Sequence, residues 1–467
     1  MLSAWTQAQA DTIVLKNGRR IIVLSVAIEG EKVRYQTAAG ELSLPKSIVD
    51  HIEKGAGAQV ADSGSAGAAS LAITPPVIEM NEESAVIESG AVHNGAVDRV
   101  FISKLEGEAH SGSAEAAVNA ALAHHAAAQF ELSHGDMERA LIDERTALTY
   151  APEDALLLLN LAYLHLRRSE YRWALNYLDR ARRVAPQNAD VAKLAGWAYY
   201  GMNKLEQAVS EWQRALALRP DAEVRAALEK AQRDQQEEEN YKENESLHFT
   251  LRYSGGAQPA LAREILRALE IHFSAIESEL NYSPPEPIGV ILYTQQAFAD
   301  ITRAPRWAGA LNDGRIRVPV QGLTELTPDL SRVLKHELTH SFIGQKTRNR
   351  APTWIQEGVA QWMEGARSGE MAAALVQNYD AKQAPRLGDL ETSWIKLSTF
   401  AATYAYSWAL ANIEYIVQSG SMVDIQRILD RLAAGSTTDE GVHDVLHSDY
   451  DELMRSTVEY LRKTYVR

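Results

Sequence analysis

Cysteine is absent from this 467-residue chain, which excludes a disulfide-stapled scaffold, a cysteine-ligated zinc site and a thiol nucleophile. The absence leaves the compartment open, because a chain of this length can build its cores without disulfides. Long apolar runs are missing too. The nearest approach to the ~18 apolar residues that cross a bilayer is residues 400–417, and that run carries Asn412, Glu414 and several tyrosines. It reads as a buried helix, and no transmembrane segment is expected. Basic charge is scarce: 47 Lys and Arg stand against 62 Asp and Glu, a formal net charge of −15 at pH 7. Such a surface repels phosphate backbones, so nucleic acid is not expected as a partner. The chain also contains no phosphate-binding loop, no G-x-G-x-x-G and no evident nucleophile elbow. What remains is an ordinary globular composition, 46% hydrophobic and 23% charged, with length for roughly three domains.

The first ten residues end in Ala8-Gln9-Ala10, an A-x-A pattern, without a basic or fully apolar stretch before it. Two readings stand. Residues 1–10 are the remnant of a signal peptide, which places the chain outside the cytoplasm in a bacterial periplasm or secreted, or they are an ordinary irregular terminus. Residues 11–53 alternate β-type runs with turn signals, Asn17-Gly18 the strongest, and are expected to form a small β-module of about four strands. Residues 54–113 have linker composition, with Gly55-Ala56-Gly57-Ala58 and Ser63-Gly64-Ser65-Ala66-Gly67, and no fold is expected there. The short apolar patches Val86-Ile87 and Val100-Phe101-Ile102 are candidates to dock on a neighbour.

A period of 34 then emerges. Pro152, Pro186 and Pro220 keep that spacing, as do Ala140, Ala174 and Ala208, and again Ala147, Ala181 and Ala215. Small residues where two helices cross, with proline at the turn, resemble tetratricopeptide repeats over residues 121–221. The resemblance implies a helical solenoid with a groove for a protein partner. Residues 223–245 are highly polar and read as a solvated helix that extends the last repeat, or as an acidic docking site. The repeats with this connecting helix are assigned residues 114–245.

Residues 246–467 form the last domain, of α+β class. Residues 248–253 alternate like a strand, 259–280 carry Leu261, Ile265, Leu269 and Phe273 at helical spacing, and Ile288-Gly289-Val290-Ile291-Leu292 reads as a buried strand. Residues 316–320 form a further strand, either an edge on which an extended peptide lies or an inner strand.

The chemistry concentrates in His336-Glu337-Leu338-Thr339-His340, an H-E-x-x-H match. On a helix, residues i and i+4 project from one face, so both imidazoles can meet one ion. Pro328 marks the helix start, and Val333, Leu334, Leu338 and Phe342 form an apolar stripe opposite the histidines. Glu337 is placed to take the proton of an attacking water. A new helix opens at Ala351-Pro352-Thr353-Trp354 and brings Glu357, 17 residues past His340, as the natural third ligand.

The segment resembles the gluzincin metallopeptidases of the peptidase MA-like group, which pair H-E-x-x-H with W-x-x-E-G-x-A; here the matching residues are Trp354, Glu357, Gly358 and Ala360. The resemblance implies one Zn²⁺ per chain on His336, His340 and Glu357, with Glu337 as general base, hydrolysing a peptide or protein substrate. Gln361 departs from the thermolysin-like pattern, in which an acidic residue at this place orients a ligand histidine; its amide oxygen is the expected substitute. Tyr404 matches a Tyr-Ala-x-Ser stretch of the group and either stabilises the oxyanion or simply packs, with Tyr406 as the fallback. His443 and His447, also at i and i+4, read as a solvated face, and His124-His125 likewise. The fold class is therefore α+β multidomain: a small N-terminal β-module, an α-helical repeat solenoid and a C-terminal α+β gluzincin-like metallopeptidase domain. The competing reading is a non-catalytic repeat scaffold with an inactive metallopeptidase-like domain.

Overall fold

Short β-type runs make six strands among the described residues near the N-terminus, where about four were expected: β1 (Asp11–Leu15), β2 (Arg20–Val23), β3 (Ser25–Glu29), β4 (Lys32–Thr37), β5 (Gly40–Pro45) and β6 (Val49–Glu53). They form two antiparallel sheets, β2-β1-β6 and β3-β4-β5. The apolar stretch from Arg20 to Ile28 reads as one strand because no turn residue interrupts it, yet β2 and β3 pair in different sheets. The computed structural model describes residues 11–15, 20–23, 25–29, 32–37, 40–46, 49–53, 76, 82–93, 95–254, 259–294, 311–312, 314–320, 323–394 and 397–466. The Asn17-Gly18 turn and residues 1–10 lie outside them.

Part of the stretch read as linker is helical. Helix α1 (Glu82–Ala91), the two-residue strands β7 (Val92–His93) and β8 (Ala96–Val97), and helix α2 (Arg99–Ala109) precede the repeats. Asp98 caps α2 by accepting from the amides of Val100 and Phe101, and Ile102 and Leu105 are buried against an alanine-rich helix that follows. Ala- and Glu-rich composition hid this: apolar residues at helical spacing decide the outcome once a neighbour is present to bury them.

The 34-residue period corresponds to successive helix pairs: α3 (Ala114–Ser133) with α4 (Met137–Tyr150), α5 (Ala155–Arg167) with α6 (Tyr171–Val184), and α7 (Ala189–Gly201) with α8 (Leu205–Leu218). Ala140, Ala174, Ala208, Ala147 and Ala181 have no exposed surface and Ala215 almost none, so the repeated alanines are the crossing points of the helices. A side chain on Gly196 would collide with the Trp212 indole, 2.3 Å from a built Cβ. A polar contact repeats as well: Arg180 Nη2 donates to the Pro152 carbonyl at 3.0 Å, and Arg214 Nη2, 34 residues later, to the Pro186 carbonyl at 2.9 Å. Every residue from Leu157 to Leu166 and from Ala189 to Ala198 is buried. The faces of α5 and α7 that would line an open groove are therefore covered, contrary to the expectation of a free recruiting groove.

Helix α9 (Ala222–Glu238) follows, and the polar stretch does not stay helical to residue 245. Residues Tyr241–Glu245 form strand β9, antiparallel to β10 (Phe249–Ser254). Neither is α9 simply solvated. Asp234 is fully buried and accepts from the Tyr200 hydroxyl at 3.1 Å. Glu238 is fully buried and accepts from Tyr293 Oη at 2.8 Å, from Arg252 at 2.9 Å and from Arg315. Buried carboxylates persist only with such partners, and a charge run gives no warning of them.

Helix α10 (Pro259–Leu280) crosses from β10 to its parallel neighbour β11 (Ile288–Tyr293); β12 (Leu311–Asn312) and β13 (Ile316–Pro319) complete a five-stranded sheet of order β12-β13-β11-β10-β9. Leu261, Ile265, Leu269 and Phe273 of α10 are buried, and Phe273 meets Phe249 edge-on at 5.9 Å. Among the described residues, seven α-helices follow: α11 (Pro328–Thr347), α12 (Thr353–Glu364), α13 (Ala372–Asp380), α14 (Thr399–Ser419), α15 (Met422–Ala434), α16 (Thr438–Leu446) and α17 (Tyr450–Tyr465). Helix α14 is the buried helix expected for residues 400–417, with Asn412 and Glu414 inside. Thr457 donates to Asn412 Oδ1 at 2.9 Å, and Tyr460 and the Ser368 amide donate to Glu414. No described helix is long and apolar enough to cross a membrane.

The chain resolves into two compact units, one of residues Met1–Ser70, Glu237–Phe273 and Ile288–Leu338, the other of Leu71–Gln236, Ser274–Pro287 and Thr339–Arg467. The repeated helix pairs and the C-terminal helices from Thr339 onward belong to the same unit.

Candidate metal centre

Helix α11 starts where the sequence signals it. Thr327 Oγ1 accepts from the Leu330 amide at 3.1 Å, Pro328 takes the first helical position and Asp329 lies in the first turn. Leu334, Leu338 and Phe342 are fully buried, which fixes the roll of the helix and leaves His336, Glu337 and His340 half-buried on another side. Helix α12 is bounded by Pro352 and by Gly365 at φ 101°, a left-handed C-terminal residue. Trp354, fully buried, meets the Tyr450 ring edge-on. Gly358 is required for packing: a Cβ there would lie 2.5 Å from the Ala409 carbonyl oxygen and 2.6 Å from Ile413 of α14. The glycine that follows the candidate ligand thus lets α12 press backbone against backbone on α14 and holds Glu357 in place.

His336, His340 and Glu357 each offer one ligand atom, and these atoms lie within 4.8 Å of one another. His340 Nε2 and Glu357 Oε2 are 3.7 Å apart, with side chains 15% and 17% exposed. Two donors about 2.0–2.2 Å from a tetrahedral ion lie roughly 3.3–3.6 Å apart, so this separation suits a shared divalent cation after a small closure. Two imidazoles and one carboxylate form a borderline set that suits zinc and leaves one coordination position open, as a catalytic site requires. Among the described residues this is the one such group.

Gln361 does not act as expected. Its amide nitrogen donates to the Glu357 carbonyl and to the Tyr406 carbonyl, each at 3.1 Å, so it ties α12 to α14 and makes no bond to a ligand histidine. A backbone acceptor at that place was not visible in the sequence. Tyr404 is half-buried with its ring 4.9 Å from that of Phe400. The Tyr406 ring packs edge-on to Trp394 at 5.0 Å.

One contact escaped the sequence reading altogether. Asn312 Nδ2, on β12, donates to the Glu337 carbonyl at 2.8 Å. That carbonyl lies within the H-E-x-x-H turn, so a strand residue 25 positions upstream braces the helix at the candidate base. Of the two readings of residues 316–320, the inner strand is correct: β13 lies between β11 and β12, and Ile316, Arg317 and Val318 are fully buried. Among the described residues, the sheet ends on this side at β12.

His443 and His447 are exposed, and His447 leaves its helix with φ 53°. His124 and His125 are not solvated, which corrects the sequence expectation. They are 5% and 3% exposed. His124 bridges Asp143 at 2.7 Å and Glu106 at 2.9 Å, and His125 meets Glu144 at 3.0 Å. Burial opposes the imidazolium of His124, but its bonds to Asp143 and Glu106 outweigh that and raise its pKa. Burial and neighbouring Asp143 push the Glu131 carboxyl up to about 8, against the pull of Arg99. Paired carboxylates from α2 and α4 made these histidines internal, and adjacent positions in an alanine-rich helix carried no trace of them.

A family model described as Peptidase MA superfamily matches residues 276–462. The match begins within α10, ends within α17 and takes in both ligand helices. Residues 276–462 are thus similar to the peptidase MA superfamily. No curated protein matches the chain.

Proposed function

We propose that this protein is a zinc-dependent metallopeptidase of gluzincin type. The observation that carries the reading is the convergence of His336, His340 and Glu357 on one point from two helices, within a segment matching the peptidase MA family model. These three side chains would hold one Zn²⁺ per chain. Bound there, the ion would supply Lewis acidity toward a water and a peptide carbonyl.

The remaining steps belong to the chain. Glu337 takes the proton of the attacking water and returns it to the leaving amine, a general-base and general-acid role that its position next to His336 allows. Asn312 holds the Glu337 backbone, which limits how far that carboxylate can wander. Tyr404 donates its hydroxyl to the oxyanion after side-chain adjustment on substrate binding. An extended peptide pairs with β12, the strand at the edge of the sheet, as main-chain hydrogen bonding to an open edge permits.

The helix pairs are tetratricopeptide-like in period, in their small crossing residues and in the recurring arginine-to-proline contact. With the inner faces of α5 and α7 covered, capture of a substrate protein or partner falls to the second helices. There Ile142 of α4 and Trp173 of α6 are 62% and 61% exposed.

Glu337→Gln tests the reading. With casein or a quenched peptide library as substrate, wild-type protein supplied with zinc should cleave. The variant should bind zinc equally and lose activity. Equal turnover by both would contradict the assignment.

A further inference from the structure

Helices α11 and α12 are joined by residues 348–352, which lie in sequence between His340 and Glu357. Its backbone is not a relaxed one: Arg348 and Asn349 both adopt left-handed dihedrals, φ 55° and 59°, unusual in side-chain-bearing residues. Such a joint persists when its surroundings over-determine it. Its surroundings here include both the helix pairs and the C-terminal helices, which belong to the same compact unit.

Three contacts meet at the joint. Arg348 Nη1 donates to the Ala433 carbonyl at 2.9 Å, and Nη2 donates to Glu138 of α4. Glu138 also accepts from Arg168 at 2.6 Å, and Arg168 reaches Glu170 at 2.8 Å. One carboxylate of the first helix pair is thus shared between the α5–α6 turn and the α11–α12 joint. Beside it, Gly135 (φ 86°) and Gly435 (φ 110°) meet backbone to backbone: a Cβ on Gly135 would lie 2.8 Å from Gly435 Cα and 2.5 Å from Arg350 Nη1. Two glycines with their open sides facing each other, and an arginine of the joint against both, leave no room for that turn to drift.

We infer that Arg348, with Glu138 as its partner in the helix pairs, is a positioning residue for the metal centre: the α4 carboxylate sets the α11–α12 joint, and the joint sets the distance between His340 and Glu357. The inference rests on the zinc reading above and gives the helix pairs a task beyond recruitment. An exposed ion pair on a rigid surface does little. This one ties down a joint held in left-handed dihedrals, and its arginine is only 11% exposed.

The test measures zinc affinity of the full chain by competition with a chromophoric chelator, together with the melting temperature of the metal-free protein. Glu138→Ala changes a surface position on a helix, where alanine is well tolerated. It should weaken zinc binding about tenfold, the lower end of what outer residues of a metal site contribute. The metal-free melting temperature should stay within about 2 °C of wild type. Arg348→Met should weaken binding as much, and the double variant no further. Gly135→Ala, which pushes the same turn away by a different route, should also weaken binding. Unchanged affinity in Glu138→Ala with a lowered metal-free melting temperature would mean a purely structural role and overturn the inference while the metallopeptidase reading stands. Losses that multiply in the double variant would overturn it as well. No zinc binding by wild type would overturn both.

Discussion

His340 Nε2 and Glu357 Oε2 stand 3.7 Å apart although 16 residues, a helix end and a new helix start lie between them. They are neighbours because Gly358 lets α12 settle on the α14 backbone while Leu338 and Phe342 fix the roll of α11. The site is therefore a product of two helix-packing constraints, and each can be broken separately.

Gly358→Ala should break the first. Its Cβ would meet a backbone carbonyl oxygen at 2.5 Å, which a rotamer change cannot relieve. Overpacking of this kind costs about 1–3 kcal/mol. Thermal unfolding of the variant should show that loss, with zinc affinity reduced as Glu357 is displaced. Wild-type stability would show that α12 and α14 are not in this register.

Tyr404→Phe separates an oxyanion role from packing. The ring contact with Phe400 survives the change. If the hydroxyl stabilises the transition state, kcat should fall by roughly 10²-fold with zinc affinity and KM little changed. Unaltered kcat would leave Tyr404 as a packing residue and turn attention to Tyr406.

Stability should respond to pH through the buried network of Arg99, Glu106, His124, Glu131 and Asp143. Burial above all pushes the Glu131 carboxyl up to about 8, well above the usual carboxylate range, so its protonated form favours the fold. That stability is present below about 4.5 and is lost as pH rises toward 8. His124, raised above 6.5, adds a loss of the same sign in the upper part of that window. Asp143, held down to about 2 by bonds to His124 and Arg99 against its burial, keeps its contribution throughout and loses it only in strong acid. The melting temperature should fall between pH 5 and 8, and Glu131→Gln should flatten the fall. A wild-type profile that rises over this range would contradict the network's protonation pattern.

Much of the candidate site was legible because its signals are local. The i, i+4 spacing of His336 and His340 and the start of a new helix at Pro352 follow from helical geometry and from residue chemistry alone. The 34-residue period was legible for the same reason, since alanines at crossing points recur whatever lies around them. The misreadings share one cause, partners distant in sequence. Asn312 reaches Glu337 across 25 residues, Gln361 finds the Tyr406 carbonyl 45 residues on, and Glu238 takes Arg252, Tyr293 and Arg315 into the interior. Strand β9 looked like helix because a polar run has helical propensity until a neighbouring strand offers it a ladder.

The central claim is tested most directly by the metal content of purified protein after incubation with zinc and removal of the excess, with wild type beside His336→Ala and Glu357→Ala. The account predicts about one zinc per chain in wild type, in keeping with a single three-ligand group, and none in either variant. Zinc absent from wild type, or retained in both variants, would contradict it.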